Sequence, residues 1–363
     1  MDKPLDLCTL TFTPYIGDTF LATALARKIN EVTLRDVAIV QIDAEHHYAH
    51  HFCREEDRIF IHLGGALGEL ISVGKNFSPE APLHKIYYKG QFNYFYASLM
   101  EHLDYLAMIE DITNRAITHL NPDGVLYSFH YTFPHAFFAR EAKRKGIEVR
   151  GYILDDAYNL KMINHRGEMV DAVIWTDEFI GQRLCREFLG CDLTAEDFDI
   201  NITPIPFVHP TKVTLFPGTR GSGLPTAGHW VQDVEYLRRQ GYDVVMATME
   251  SDDIDTAPFV AAGARLDGFS SIKEMIAHIT TSQFIVCNDS SAFHFAWYFG
   301  VPAIVKQKGG FNDEWIPEWI REDPCYPLMP PVMMYEEEYT YLLDYGVNEI
   351  RSVRRASRTN DRH

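Results

Sequence analysis

Short apolar runs alternate with amphipathic stretches along most of this chain, and that alternation restricts it to parallel sheets with crossover helices. Residues 7–12 read as a strand and 14–18 as a turn. Over 19–29 the apolar residues Phe20, Leu21, Ala24, Leu25 and Ile29 fall on one helical face. Strands are predicted at 37–42 and 59–63, a long helical stretch at 94–120 and a strand at 125–129. A helix then runs to Lys145, where Gly146 closes it, and 147–153 and 172–175 continue the pattern. At 202–210 the text becomes ITPIPFVHP, whose three prolines stop helix and central strand alike, as in a linker. After it the units restart, with strands at 212–216, 243–247, 284–287 and 303–305 and helices at 229–240, 271–280 and 292–299.

The expected fold is therefore α/β, two doubly wound parallel-sheet halves. A single core stops growing near roughly 250–300 residues, so a chain of 363 divides. The expected division is 1–205, 206–335, and a C-terminal helix with a basic tail at 336–363. Ligands of such sheets bind at the carboxyl ends of the strands, so the loops there are the places to search.

Charge narrows the partners. Lys and Arg number 33 against 51 Asp and Glu, a net −18 that repels phosphate backbones and anionic membranes. The six cysteines contain no C-x-x-C pair and read as thiols of a reducing compartment. No basic, apolar leader and no apolar run of membrane-spanning length is present, so a cytoplasmic protein is expected.

Three strand-to-helix loops carry chemistry. In Tyr15-Ile16-Gly17-Asp18-Thr19, Gly17 permits a tight turn, and Asp18 serves either as a helix cap or as a general base at the top of the first sheet. In PGTRGSG, from Pro217 to Gly223, three glycines let backbone N–H groups approach an anion. Thr219, Arg220 and Ser222 add donors beside Gly221, although a merely flexible loop fits the same text. It is neither a Walker loop nor G-x-G-x-x-G. In Asn288-Asp289-Ser290-Ser291-Ala292-Phe293-His294, hydroxyls and N–H groups gather at a helix start, and His294 falls on its first turn. The alternative there is a capped helix with a satisfied histidine. No G-x-S-x-G elbow accompanies these residues, which removes the serine-hydrolase reading.

Taken in order, the segments resemble the family-nine glycosyltransferases, the ADP-heptose lipopolysaccharide heptosyltransferases and their relatives. IGDTFLATALARKI is similar to the family's opening strand–GD–helix element, LFPGTRGSG followed by HW to its PG…KxWP segment, and LDGFSSIKEM to its l-x-G-x-t-s-l-x-e-l run. NDSS-x-x-H followed by GVP resembles its nD[ST]G-x-x-H…G-x-P signature. The resemblance spans about 300 residues, the stretch from Pro122 to Gly146 included. It implies a GT-B architecture of two facing Rossmann-like domains. It also implies inverting, metal-independent transfer of a sugar from a nucleotide diphosphate donor to a hydroxyl of a saccharide or other glycan. On that resemblance Asp18 matches the catalytic base. Thr219 matches a donor-phosphate contact, and Asp289, Ser290 and His294 match the donor signature. Glu250 falls near a ribose- or base-reading acid. Arg220, Gly221, Ser222 and Ser291 complete the donor-side candidates, and Gly17, Gly64 and Tyr94 are those of the acceptor side. Two departures stand out: Gly228 replaces the family lysine, leaving Arg220 or His229 to supply its charge, and Ser291 replaces a glycine.

Asp18 would take the acceptor proton, and preorganised donors at the two loops would meet the leaving diphosphate in place of a metal. No cofactor is expected beyond the nucleotide-sugar co-substrate. His46, His47, His50 and His51 have i, i+4 spacing but no H-E-x-x-H, and read as a polar segment rather than a metal site. The aromatic run 87–96 suits a core, or stacking on a sugar or base. Glu336–Glu338 read as a solvated face, and the tail 351–363, with five arginines and one aspartate, as loosely held. Other readings stay open. One is transfer to a hydroxylated base of phage-type modified DNA, the one way nucleic acid enters, as acceptor. Others are a catalytically inactive nucleotide-sugar-binding protein and an epimerase of the same fold, which would convert donor without any acceptor.

Overall fold

The computed structural model describes residues 5–10, 16–41, 57–63, 70–72, 120–128, 142–152, 172–174, 180–200, 202–205, 208–218, 227–249, 254–288, 290–306 and 343–352, with 52, 54, 114 and 117 singly. They form two compact units. Described residues up to Ile200 belong to the first and those from Ile202 onward to the second.

In the first unit β1 (Leu5–Leu10) runs toward α1 (Ile16–Thr33), followed by β2 (Val37–Gln41), β3 (Ile59–Leu63), β4 (Leu70–Ser72), β5 (Leu120–Ser128), β6 (Glu148–Tyr152), β7 (Ala172–Ile174) and α2 (Ile180–Leu189). The sheet order is β4-β3-β2-β1-β5-β6-β7. Without β4 this is the 3-2-1-4-5-6 order of a Rossmann sheet, with the reversal between β1 and β5. All pairs are parallel except β3–β4, an antiparallel edge that the expected all-parallel pattern lacked. Two further expectations are corrected. Leu120 opens a strand rather than ending a helix, and Pro122 sits where the β1–β5 ladder slips between Leu5 and Leu7, consistent with a residue that has no N–H to give. The helix expected from Thr19 begins at Ile16, so Gly17 and Asp18 lie inside its first turn rather than in a turn or cap before it.

A buried ionic network ties α1 to the segments packed on it. The Arg27 guanidinium donates to both Asp57 carboxylate oxygens at 2.9–3.2 Å, and to the carbonyls of Phe52 at 2.7 Å and of Asp197. Lys28 reaches Asp197 at 3.1 Å. Phe20 packs against Phe52 and Phe198 beside it.

The second unit contains β8 (Lys212–Phe216), α3 (Ala227–Arg239), β9 (Asp243–Met249), α4 (Ala257–Ala261), β10 (Arg265–Phe269), α5 (Ile272–Thr280), β11 (Phe284–Asn288), α6 (Ser291–Tyr298), β12 (Ala303–Lys306) and helical residues 343–352. Its order, β10-β9-β8-β11-β12, is 3-2-1-4-5, parallel throughout, with the reversal between β8 and β11. Every residue of β8, β11 and β12 is buried, as expected of strands covered on both faces. One face gathers Val213, Leu215, Val244, Met246, Phe284, Val286 and Ile304 with Trp230, Val234 and Leu237 of α3 and Leu343, Val347 and Ile350. Turns back into the sheet are closed by glycines. At Gly146 (φ +82°) and Gly300 (φ +65°) the next two N–H groups return to the last helical turn, Gly146 N to Lys143 O with Ile147 N to Ala142 O, and Gly300 N to Trp297 O with Val301 N to Ala296 O. Among the described residues no helix is long and apolar enough to cross a membrane.

Candidate functional site

The reversal of strand order in the second unit places the carboxyl ends of β8 and β11 side by side, where open α/β sheets bind their ligands. Cys287 pairs with Phe216, so Asn288 and Pro217 are the next residues at that edge. The Asn288 carboxamide bridges it, Nδ2 donating to the Pro217 carbonyl at 2.8 Å. Since that carbonyl only accepts, the bond fixes the amide orientation and leaves Oδ1 as the acceptor of the edge. Asn288 is wholly buried, and its Oδ1 has no hydrogen-bond partner.

Two residues on, Ser290 takes the N-cap position of α6 with extended backbone (φ −159°, ψ 175°). An N-cap serine ordinarily accepts from the first-turn N–H groups. Here the hydroxyl caps nothing, and its buried Oγ also has no partner. A buried unpaired polar group costs about 1–3 kcal/mol, and here two such groups lie at one sheet edge. The donor set has a definite character: an acceptor suited to a ligand hydroxyl, a hydroxyl that can donate, and a helix N-terminus that favours an anion.

His294 is buried on the same helix, its Nδ1 accepting from Trp297 Nε1 at 3.3 Å, with Phe293 and Trp297 packed against the ring. The bond from Trp297 agrees with the satisfied-histidine alternative. Ser291 is half-buried at the first helical position.

Behind this edge lies a charge pair that the motifs did not single out. Lys306, last residue of β12, is the ladder partner of Asn288. Its ammonium is wholly buried, contacts the Asp233 carboxylate of α3, and stands 4.1 Å from the Trp230 ring centroid. Burial pushes the Asp233 carboxyl well up and the Lys306 ammonium well down from their ordinary values. A lysine ending an otherwise apolar strand, AIVK, and an aspartate one turn after a tryptophan were the signals in the sequence.

Ser290, Ser291 and His294 are thereby gathered at one helix end, with Pro217 and Gly218 at the root of the glycine loop beside them. Gly17 and Asp18 lie in the first unit, in α1 just beyond the carboxyl end of β1. Thr219, Arg220, Gly221, Ser222, Glu250, Asp289, Gly64 and Tyr94 lie outside the described residues, as do the histidines 46–51, the aromatic run 87–96 and the acidic run 336–338. His229, offered as a substitute charge, is half-buried in the first turn of α3. Among the described residues no three His, Cys, Asp or Glu side chains are grouped to hold a metal, and Cys185 and Cys191 are free thiols.

No protein-family model and no curated protein matches the sequence. Solved structures do. A glycosyl transferase family 9 protein from Veillonella parvula DSM 2008 superposes with a TM-score of 0.51 at 12% identity, covering 97% of this chain and 98% of its own. An E. coli heptosyltransferase with ADP gives 0.50 at 10% identity, covering 86% and 90%. A structure described as a UDP-N-acetylglucosamine 2-epimerase from Listeria monocytogenes gives 0.52 at 11%, covering 96% and 88%. The fold is GT-B. The Rossmann-like parallel sheet expected of each half is borne out, and a family-nine glycosyl transferase is among the GT-B structures the chain is similar to. At these identities the likeness speaks to the GT-B fold alone.

Proposed function

We propose that the chain is a glycosyltransferase that moves a sugar from a nucleotide diphosphate donor to an acceptor hydroxyl, with inversion and without a metal cofactor, in the cytoplasm. The observation that carries the reading is the pair of buried, unpartnered oxygens, Asn288 Oδ1 and Ser290 Oγ, at the strand-order reversal of a GT-B sheet. A nucleotide sugar brings what they lack: hydroxyls for the amide oxygen, and phosphate oxygens for the serine hydroxyl and the helix N-terminus. The glycine loop from Gly218 would add N–H donors, with Thr219, Arg220, Gly221 and Ser222 at its phosphates. Asp289, Ser291 and His294 complete the donor side, and Glu250, which follows the last residue of β9, reads the nucleoside. Donors fixed before the reaction stabilise the departing diphosphate without reorganisation. Asp18, in the first turn of α1, is the general base that takes the acceptor proton. Gly17, Gly64 and Tyr94 belong to the acceptor side, and the acceptor is a glycan.

The test is a thermal-shift panel of nucleoside diphosphates and their sugars with and without magnesium, followed by turnover of Asp18→Asn. One diphosphate should stabilise the protein without magnesium. Asp18→Asn should lower turnover by about 10²–10⁴-fold, the share a general base supplies, with donor affinity unchanged. Stabilisation by none of the diphosphates removes the reading. Donor conversion in the absence of any acceptor would instead favour the epimerase that the Listeria monocytogenes structure suggests.

A further inference from the structure

We propose that the buried Asp233–Lys306 pair is a positioning device. It pins α3 to the end of β12, so that the two roots of the glycine loop, Gly218 and Ala227, keep the span that diphosphate binding needs. The inference rests on the donor-site reading above and adds residues to it.

A chain of contacts links the two described ends of the loop. At its near root, Pro217 accepts the Asn288 amide N–H at 2.8 Å. Asn288 is the ladder partner of Lys306. Lys306 contacts Asp233, which lies in the second turn of α3, and α3 begins at Ala227, the far root. Trp230 and Asp233, three positions apart, lie on one face of that helix, and both meet the same ammonium.

Stability alone does not account for such a pair. Replacing a buried ion pair with apolar residues of similar volume is often neutral or stabilising, and in some proteins a buried polar pair is kept because it fixes one register. The surroundings are already apolar: Trp230, Val234, Val286 and Ile304 belong to the core cluster on this face. An ion pair that adds register rather than burial belongs where a geometric tolerance matters. Here that place is the sheet edge holding the orphaned Asn288 and Ser290 oxygens.

The experiment compares the wild type with the double variant Asp233→Leu/Lys306→Met, titrating each with ADP, UDP, GDP and inorganic pyrophosphate by calorimetry and recording Tm. The double variant is expected to keep its Tm within a few degrees and to bind the diphosphate preferred by the wild type at least tenfold more weakly. Binding within twofold of the wild type overturns the proposal. Should the double variant not fold, Asp233→Asn, which keeps the volume, takes its place. A threefold weakening is then expected, and an unchanged Kd overturns the proposal. A wild type that binds none of the four probes overturns the donor-site reading and this inference together, an outcome distinct from equal binding by both proteins.

Discussion

Replacing Asn288 with leucine should leave the empty protein as stable as before and remove most of its response to a nucleotide diphosphate. Asn288 is wholly buried, so the change trades one polar imbalance for another. Losing the 2.8 Å bond from Nδ2 leaves the Pro217 carbonyl unpaired, a cost of about 1–3 kcal/mol. Removing Oδ1, buried and without a partner, returns about 1–3 kcal/mol on the same scale. The two cancel to within about 1 kcal/mol, or roughly 2–4 °C in Tm for a unit of this size. In the complex nothing cancels. A ligand at a hundred times its Kd adds about 2.7 kcal/mol to wild-type stability. Loss of the amide acceptor, with the ligand hydroxyl left unpaired, costs about 1–3 kcal/mol, a rise in Kd of roughly 5–160-fold. At the same concentration the stabilisation falls to about 0.3–1.8 kcal/mol. Trp230 and Trp297, both buried in the second unit, report the transition by fluorescence during urea unfolding, with and without ligand. An empty variant destabilised by more than about 2 kcal/mol, or an undiminished ligand effect, would refute the argument that Oδ1 is held in reserve.

Two further predictions concern stability. Arg27→Met strips Asp57 of its bidentate partner and removes the bonds to the Phe52 and Asp197 carbonyls, while among the described residues Asp57 keeps the Arg54 contacts. A loss of about 3–5 kcal/mol is expected, read from the urea midpoint, and a loss under about 1.5 kcal/mol would contradict the assigned role of this network. His278, on α5, has its pKa lowered by burial first and by the Lys212 charge second. The unfolded chain therefore takes up the proton first as pH falls below about 6.5, and stability drains from there down to the folded value. His278→Gln should flatten that acid limb between pH 7.5 and 5, and identical slopes for variant and wild type would count against it.

What could be read from the sequence depended on where the polar residues lie. β8 was legible to the residue because a strand buried on both faces is a β-branched and apolar run, VTLF, between Lys212 and Pro217, its one hydroxyl, on Thr214, met by Ser282. α6 was placed within one residue of each end for a related reason: six consecutive buried residues behind a serine. α2 was not read from the sequence, although Ile180, Leu184 and Phe188 recur at helical spacing in it. Gln182 earns its burial by bonding Asp192 and the Leu193 N–H, which no periodicity reveals. β10 was missed as a strand because RLDGF is an edge strand, largely exposed. Ser290 and His294 were singled out by their pattern at a helix start. Lys306 and Asp233, far apart in sequence, became partners only through the β11–β12 register and the return of α3 over the sheet.

The strand order has a kinetic consequence. In each unit the central strand is the first one made: β1 lies between β2 and β5, and β8 between β9 and β11. On the ribosome β1 emerges with both edges bare, and its second neighbour begins only at Leu120, roughly 5–20 s later at ordinary elongation rates. Bare parallel edges of apolar strands are what wrong pairings and holding chaperones seize. Slowing translation between β2 and β5 should therefore lower the soluble yield of a chain whose finished fold has both of these edges sealed.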